Sequence, residues 1–134
     1  MKNAFVTFDL SNPQCVRVIY HAHEPTHAEI DEFVAFAAKV LQENRDFVIV
    51  SDVTKLKYLS SEHRIKLGNW IKSHHLLIKE RCLGTVYVVS SAIGRMILNG
   101  IFLVNKPVIP RTLVASMAEA DKWAAERLAE GKKK

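Results

Sequence analysis

The chain has 134 residues, and its 49% hydrophobic and 25% charged residues give the balance of one globular domain. Five glycines and four prolines exclude a collagen-like chain or a linker. The net charge of +5 is uneven, because residues 1–50 carry −3, residues 51–111 carry +7 and residues 112–134 carry +1.

Two strands and a helix are predicted in the first third of the chain. Alternating apolar residues predict strands over 4–10 and 15–22, and the turn residues between them indicate an antiparallel hairpin. Thr26 and Glu29 form the capping-box pattern T-x-x-E, and a helix with an apolar stripe follows to about Asn44. The continuous apolar run over 47–53 predicts a strand that is covered on both faces.

The rest of the chain continues this alternation. A second, basic helix is predicted over about 61–79, a strand over 84–90, and a third helix over 92–104. A strand over 108–115 contains Pro110, which indicates a sheet edge or a strand start. A second capping box at Ser116 opens a last helix that runs to about Glu130. The order β-β-α-β-α-β-α-β-α predicts an α/β fold, with a mixed sheet of about five strands and helices packed on it.

Cysteine usage and hydropathy indicate a cytoplasmic protein. Cys15 and Cys82 have neither metal-type spacing nor a disulfide framework. The N-terminus lacks the pattern of a signal peptide, and the apolar run 96–104 is too short to span a bilayer. We expect a single domain over 1–131, followed by the basic tail 132–134.

Three segments of the chain show a family pattern: VIVSDVTKLKYLSSEH (48–63), SSAIGRMILNGI (90–101) and VASMAEADKW (114–123). Together with the element order, they resemble the STAS domain of bacterial anti-sigma-factor antagonists, and more closely its SpoIIAA-like (STAS/Sec14-like) branch. The resemblance implies a non-enzymatic regulatory module that binds a partner protein, and it gives Asp52 a loop-capping role.

The resemblance also bears on the junction between the third strand and the second helix. Family members that act by partner switching are phosphorylated there on a serine, and Ser61 matches that position. However, Ser60 stands where the family has an aspartate, and Glu62 and His63 replace small residues. We therefore favour an N-cap role for Ser60 or Ser61, which is common for serine. Ser60, Ser61, Thr54 and Arg64 remain the candidate partner-binding or phospho-acceptor residues.

The third predicted helix carries more apolar residues than one buried face needs. The candidate apolar ligand or interface residues are Ile93, Met96, Ile97, Ile101 and Phe102. We expect part of this apolar surface to stay exposed or to line a cavity, where it would suit a partner protein, a homodimer, a hydrophobic ligand or an anionic lipid surface. Basic residues of the second helix would then surround that surface. The alternative is a deeply buried helix.

Other site chemistries find weak support. His21, His23 and His27 have a spacing that could hold a metal, but a solvent-facing strand end is the simpler interpretation. The chain has neither a Walker A motif nor G-x-G-x-x-G, so we expect no cofactor. Nucleic-acid binding is disfavoured, because Trp70 and Tyr87, two of the four aromatic residues of the basic middle, are expected to be buried. The leading hypothesis is a protein-binding STAS-like module, and the alternative is a hydrophobic-ligand or lipid-binding module.

Overall fold

The computed structural model describes residues 1–104 and 108–131, apart from the side chains of 102–104. The expectations for the side chain of Phe102 and for the tail 132–134 therefore lie outside the described residues. The strands are β1 Val6–Asp9, β2 Cys15–Tyr20, β3 Phe47–Asp52, β4 Cys82–Val88 and β5 Arg111–Val114. The helices are α1 His27–Glu43, α2 Ser61–Ser73, α3 His75–Arg81, α4 Ala92–Val104 and α5 Met117–Gly131.

Within the described residues, the five strands form one mixed sheet in the order β1-β2-β3-β4-β5. β1 pairs with β2 in antiparallel register, with Val6 opposite Tyr20, and the other neighbours pair in parallel. The predicted α/β fold, the mixed sheet and the antiparallel hairpin are therefore confirmed. Parallel neighbours need crossover connections, and helices supply each of these along the chain.

Two apolar cores lie on opposite faces of the sheet. The larger core joins the sheet to α1, α2 and α4, and its largest fully buried side chains include Phe5, Phe47 and Ile30. The smaller core is formed by valines of β3 and β4 with Ala120 and Ala124 of α5. The sheet is thus covered on both faces at its centre, as the apolar run of β3 predicts.

The contact between α5 and the sheet depends on a glycine in β4. A Cβ atom added at Gly84 would lie 2.7 Å from the Trp123 side chain and 3.2 Å from the Pro110 carbonyl oxygen. The first distance is shorter than real Cβ contacts and the second is tighter than most of them, so glycine lets the indole ring approach the strand this closely.

The two predicted capping boxes differ in the structure. At α1, Glu29 N–H donates to Thr26 Oγ1 (3.2 Å) and Thr26 N–H donates to Glu29 Oε1 (2.9 Å), which completes the predicted box. At α5, Glu119 N–H donates to Ser116 Oγ, but the Ser116 hydroxyl itself donates to the Glu119 carboxylate. Ser116 therefore caps α5 without the reciprocal backbone bond.

The helix predicted over 61–79 is divided into α2 and α3 at His74. This residue has φ −107° and ψ 12°, and its ring stacks on Trp70 with the centroids 4.4 Å apart. The ring Nδ1 lies 2.9 Å from the Trp70 carbonyl oxygen, so the side chain satisfies a carbonyl at the end of α2. Hydrophobic periodicity continues across this break, which is why the pattern alone predicts one helix.

Candidate functional site

The loop after β3 is fixed by one carboxylate and by buried leucines. Asp52 Oδ1 accepts hydrogen bonds from Thr54 N–H (3.0 Å) and from the Thr54 hydroxyl (2.7 Å). Leu56 and Leu59 are each 3% exposed and hold the loop against the larger core. Residues between them point outward, and Tyr58 is 58% exposed. Asp52 thus performs the loop-capping role that the family resemblance implies.

The two serines at the start of α2 have different roles. Ser60 is the N-cap, and its Oγ accepts from His63 N–H at 3.2 Å. Ser61 is exposed, and its Oγ accepts from Arg64 Nη2 at 3.0 Å. The N-cap role expected of one of them therefore belongs to Ser60, and the hydroxyl of Ser61 faces a guanidinium group.

Arg64 connects α2 with α4. A Cβ added at Gly100 would lie 3.0 Å from Arg64 Cδ and 3.2 Å from Arg64 Nη1. The guanidinium group therefore occupies the space beside α4 that a larger residue at position 100 would fill. We call residues 53–64 the β3–α2 junction; Arg64 brings this junction into contact with α4.

The structure divides the apolar residues of α4 into two sets. Ile93 and Met96 are 50% and 59% exposed, and their spacing of three places them on one helical face. Ile97 and Ile101 are 2% and 8% exposed. We call Ile93 and Met96 the α4 patch; Ile97 and Ile101 are core residues that a macromolecular partner cannot touch.

A buried histidine at the junction was missed by the sequence reasoning. His63 is 6% exposed, and neither ring nitrogen has a hydrogen-bond partner in the part of the chain that the structure describes. Its ring packs edge-on against the exposed ring of His27, with the centroids 5.1 Å apart. His63 lies four residues before the buried Leu67, so helical periodicity was the signal that could have found it.

The three histidines of the proposed metal pattern have separate partners. His21 Nε2 lies 2.8 Å from Thr7 Oγ1, His23 Nε2 lies 2.9 Å from Glu29 Oε1, and His27 Nε2 lies 3.7 Å from Glu62 Oε1. Across residues 1–104 and 108–131, no group of three His, Cys, Asp or Glu residues could hold a metal ion.

A cavity of about 170 Å³ lies between the sheet and helices α1–α4. Its lining is almost wholly apolar and includes Ile101 of α4, while Ile97 does not line it. Four side chains with hydroxyl groups also line it, namely those of Tyr20, Ser51, Thr85 and Tyr87. None of the described residues around the cavity carries a charge.

Burial controls the titration of the cavity's tyrosines. It raises the pKa of Tyr87 to about 12, partly offset by a hydrogen bond with the Thr85 side chain. Burial also raises the pKa of Tyr20, which the nearby Tyr87 raises further. Both hydroxyls therefore stay neutral and keep their capacity to donate and accept hydrogen bonds near neutral pH.

Comparisons with known proteins identify the fold. No protein-family model and no curated protein matches the chain. An uncharacterized DUF3478-family protein from Shewanella loihica PV-4, which has a SpoIIAA-like fold, aligns with a TM-score of 0.64 at 12% identity, over 92% of this chain and 97% of its own. The anti-sigma factor antagonist SpoIIAA, in its unphosphorylated form, aligns with a TM-score of 0.59 at 11% identity, over 90% and 96%.

At these identities the likeness concerns the fold, and it confirms the SpoIIAA-like architecture that the sequence resembles. In the described part of the chain, no helix is both long and apolar enough to span a membrane.

Proposed function

Because the chain has a SpoIIAA-like fold, we propose that it is a non-enzymatic regulatory module that binds a partner protein. The proposed binding surface combines the β3–α2 junction with the α4 patch. One solved neighbour of this fold is named an anti-sigma factor antagonist, a protein that acts on another protein. The same kind of role is what we propose here.

The observation that carries the proposal is the link through Arg64. Its guanidinium group donates to Ser61 on one side and lies beside Gly100 of α4 on the other. The α4 patch exposes two large apolar side chains on the helix that Arg64 touches. An apolar anchor beside a fixed polar group is the usual composition of an energetic centre in an interface.

Charge favours an acidic partner at this surface. Lys55 and Lys57 are exposed in the junction, and Arg95 is exposed on α4 next to Met96 in the sequence. Positive charges at the rim of an interface attract an acidic partner and orient it during the encounter, which raises the association rate. We expect salt to reduce the affinity, since exposed charges are screened within about 10 Å at 0.1 M.

Ser61 is the proposed point of regulation. A phosphate on its hydroxyl would add about −1.5 to −2 charges at the N-terminus of α2, where the helix dipole favours negative charge. Arg64 already donates to that hydroxyl and could donate to the phosphate. Modification would convert part of a basic surface into an acidic one, which would repel an acidic partner.

Affinity capture from the cells that produce the protein tests the proposal. The baits are the wild-type chain, Ser61→Glu, and the matched control Ser11→Glu, which places the same charge in the exposed turn between β1 and β2. We expect a protein that wild type and Ser11→Glu retain, and that Ser61→Glu or a high-salt wash loses. If all three folded baits retain the same proteins equally, the junction is not the binding surface. Capture of the chain itself would identify the partner as a second copy.

The cavity supports a second candidate function, a hydrophobic-ligand module. Its apolar lining and its position between the sheet and four helices are the usual features of a small-molecule site. Native mass spectrometry of the protein purified from its own cells tests this role. A bound species that organic solvent releases supports it, and a clean mass for the chain alone contradicts it.

A further inference from the structure

On the side of the sheet, the cavity is lined by four side chains with hydroxyl groups, which we call the polar strip: Tyr20, Ser51, Thr85 and Tyr87. The proposed protein-binding role does not involve them. Ser51 on β3 is in register with Tyr87 on β4 and with Val18 on β2. Tyr20 lies two residues after Val18, and Thr85 lies two residues before Tyr87, so each pair shares a strand face. Four hydroxyl-bearing side chains on three adjacent strands therefore line one apolar cavity.

The strip can recognise a neutral polar group. Thr85 and Tyr87 hydrogen-bond with each other at one end of the strip, and Tyr20 lies at the other end with its side chain in the cavity lining. A neutral hydroxyl both donates and accepts, so it can pair with a ligand hydroxyl in either direction. A charged ligand group would be buried without a counter-charge, which is costly.

The size and walls of the cavity favour one aromatic ring. A dry protein cavity of about 150 Å³ lined by Leu, Ile and Phe holds benzene, and this cavity measures about 170 Å³. The rings of Phe5, Tyr20 and Phe33 in its wall already pack edge-to-face, with centroids 5.5–6.0 Å apart. Another ring can extend this arrangement, because edge-to-face pairs of aromatic rings are favourable beyond the area that they bury.

We infer that the cavity binds a small, neutral, single-ring aromatic molecule that carries one hydrogen-bonding group, as phenol does. The ring fills the apolar space between the sheet and the helices, and its polar group pairs with the Tyr20 end of the strip. This inference rests on the second candidate function and specifies its class of ligand.

Titration of the isotope-labelled protein with phenol, benzene and benzoate, followed by NMR, tests the inference at pH 7. We expect phenol to change the chemical shifts of the residues that line the cavity. Its affinity should be about 5-fold higher than that of benzene, which is the factor that one hydrogen bond contributes. Benzoate, which is the size of phenol plus a charge, should not bind there. Binding of benzoate as tight as that of phenol, or no cavity shifts with phenol, overturns the inference.

A matched pair of tyrosine variants assigns the hydrogen bond. Tyr20→Phe keeps the ring and removes the hydroxyl, so phenol should bind no better than benzene to this variant. Tyr58→Phe removes a hydroxyl from an exposed tyrosine outside the cavity and should leave the preference unchanged. Equal preference for phenol in both variants contradicts the role of Tyr20. The benzene affinity of each variant reports whether its cavity is intact.

The experiments distinguish a wrong ligand class from a wrong hydrophobic-ligand function. If native mass spectrometry finds a long-chain lipid that occupies the cavity, the hydrophobic-ligand function stands and the single-ring class is wrong. If neither phenol nor any co-purified molecule reaches the cavity, both are wrong, while the protein-binding role is unaffected.

Discussion

His63 is a polar residue that is buried at the β3–α2 junction. The ring is buried, and in the described residues neither nitrogen has a hydrogen-bond partner. An unpaired buried polar group costs about 1–3 kcal/mol of stability. Residues that break a local rule in this way are often found near functional sites, and His63 lies within the β3–α2 junction.

Replacement of His63 by leucine should therefore stabilise the protein. We expect His63→Leu to raise the free energy of unfolding by about 1–2 kcal/mol, because an apolar side chain of similar size needs no partner. Urea denaturation measures the change. The control is His75→Leu, since His75 is exposed and its change should stay within about 0.5 kcal/mol. A loss of stability in His63→Leu alone would contradict the assignment of an unpartnered ring.

Cys82 links burial to the alkaline stability of the fold. Burial raises the pKa of its thiol to about 12, although backbone hydrogen bonds at Gly84 and Ile49 partly oppose the shift. In the unfolded chain the thiol loses its proton above about pH 9, whereas in the folded chain it keeps it. The unfolded state then binds fewer protons, so the free energy of unfolding falls as pH rises from about 9 towards 12.

The variant Cys82→Val should show a shallower fall over this range, because it removes that titration and nearly preserves the side-chain volume. Urea denaturation between pH 8 and 10 measures the two slopes, to which the tyrosines contribute equally in wild type and variant. Parallel slopes for wild type and variant would show that Cys82 does not titrate differently in the two states.

At the scale of the helix, two adjacent serines at the start of α2 have different expected roles, one in stability and the other in binding. Ser60 caps α2, whereas Ser61 contacts Arg64 and lies in solvent. We expect Ser60→Ala to lower the free energy of unfolding by about 1 kcal/mol, the usual cost of a lost N-cap. Ser61→Ala should change stability by less than about 0.5 kcal/mol. Thermal and urea unfolding of the two variants measures the difference, and equal losses would mean that both serines cap the helix.

The elements show where sequence patterns suffice and where they fail. The hairpin, the α1 capping box and the limits of α4 follow from alternation, cap residues and helical spacing, which are local signals. The division of the second predicted helix depends on the ring of His74 stacking on Trp70, and a hydrophobic period does not report such a contact. The exposure of Ile93 and the burial of Ile97 depend on how α4 packs on α2, which the sequence of α4 alone does not contain.

At the scale of the molecule, topology decides which parts of the sequence meet. The strand order could not be predicted from periodicity, nor could the placement of α5 on the sheet face opposite the other described helices. Arg64 and Gly100 lie 36 positions apart in the sequence, and no local pattern in either segment indicates that they are in contact. The cavity also arises from this packing, because its lining comes from most elements of the larger core.

The fold shows where the residues that give the net charge of +5 lie. The basic middle of the chain contributes both the β3–α2 junction and α4, and Lys55, Lys57 and Arg95 are its exposed cations in these two segments. Part of this charge is already neutralised, because Lys66 forms an ion pair with Asp31 of α1. The exposed cations near the α4 patch are those that we expect an acidic partner to meet.

The affinity of a captured partner for surface variants tests the protein-binding proposal most directly. Isothermal titration calorimetry would compare wild type with the double variant Ile93→Ser/Met96→Ser and with Leu76→Ser, which removes an apolar side chain that is 72% exposed on α3. We predict that the double variant raises Kd at least 10-fold, since a buried interface anchor contributes more than about 1 kcal/mol. Leu76→Ser should change Kd less than about 2-fold. Equal affinities for wild type and the double variant would contradict the proposed surface.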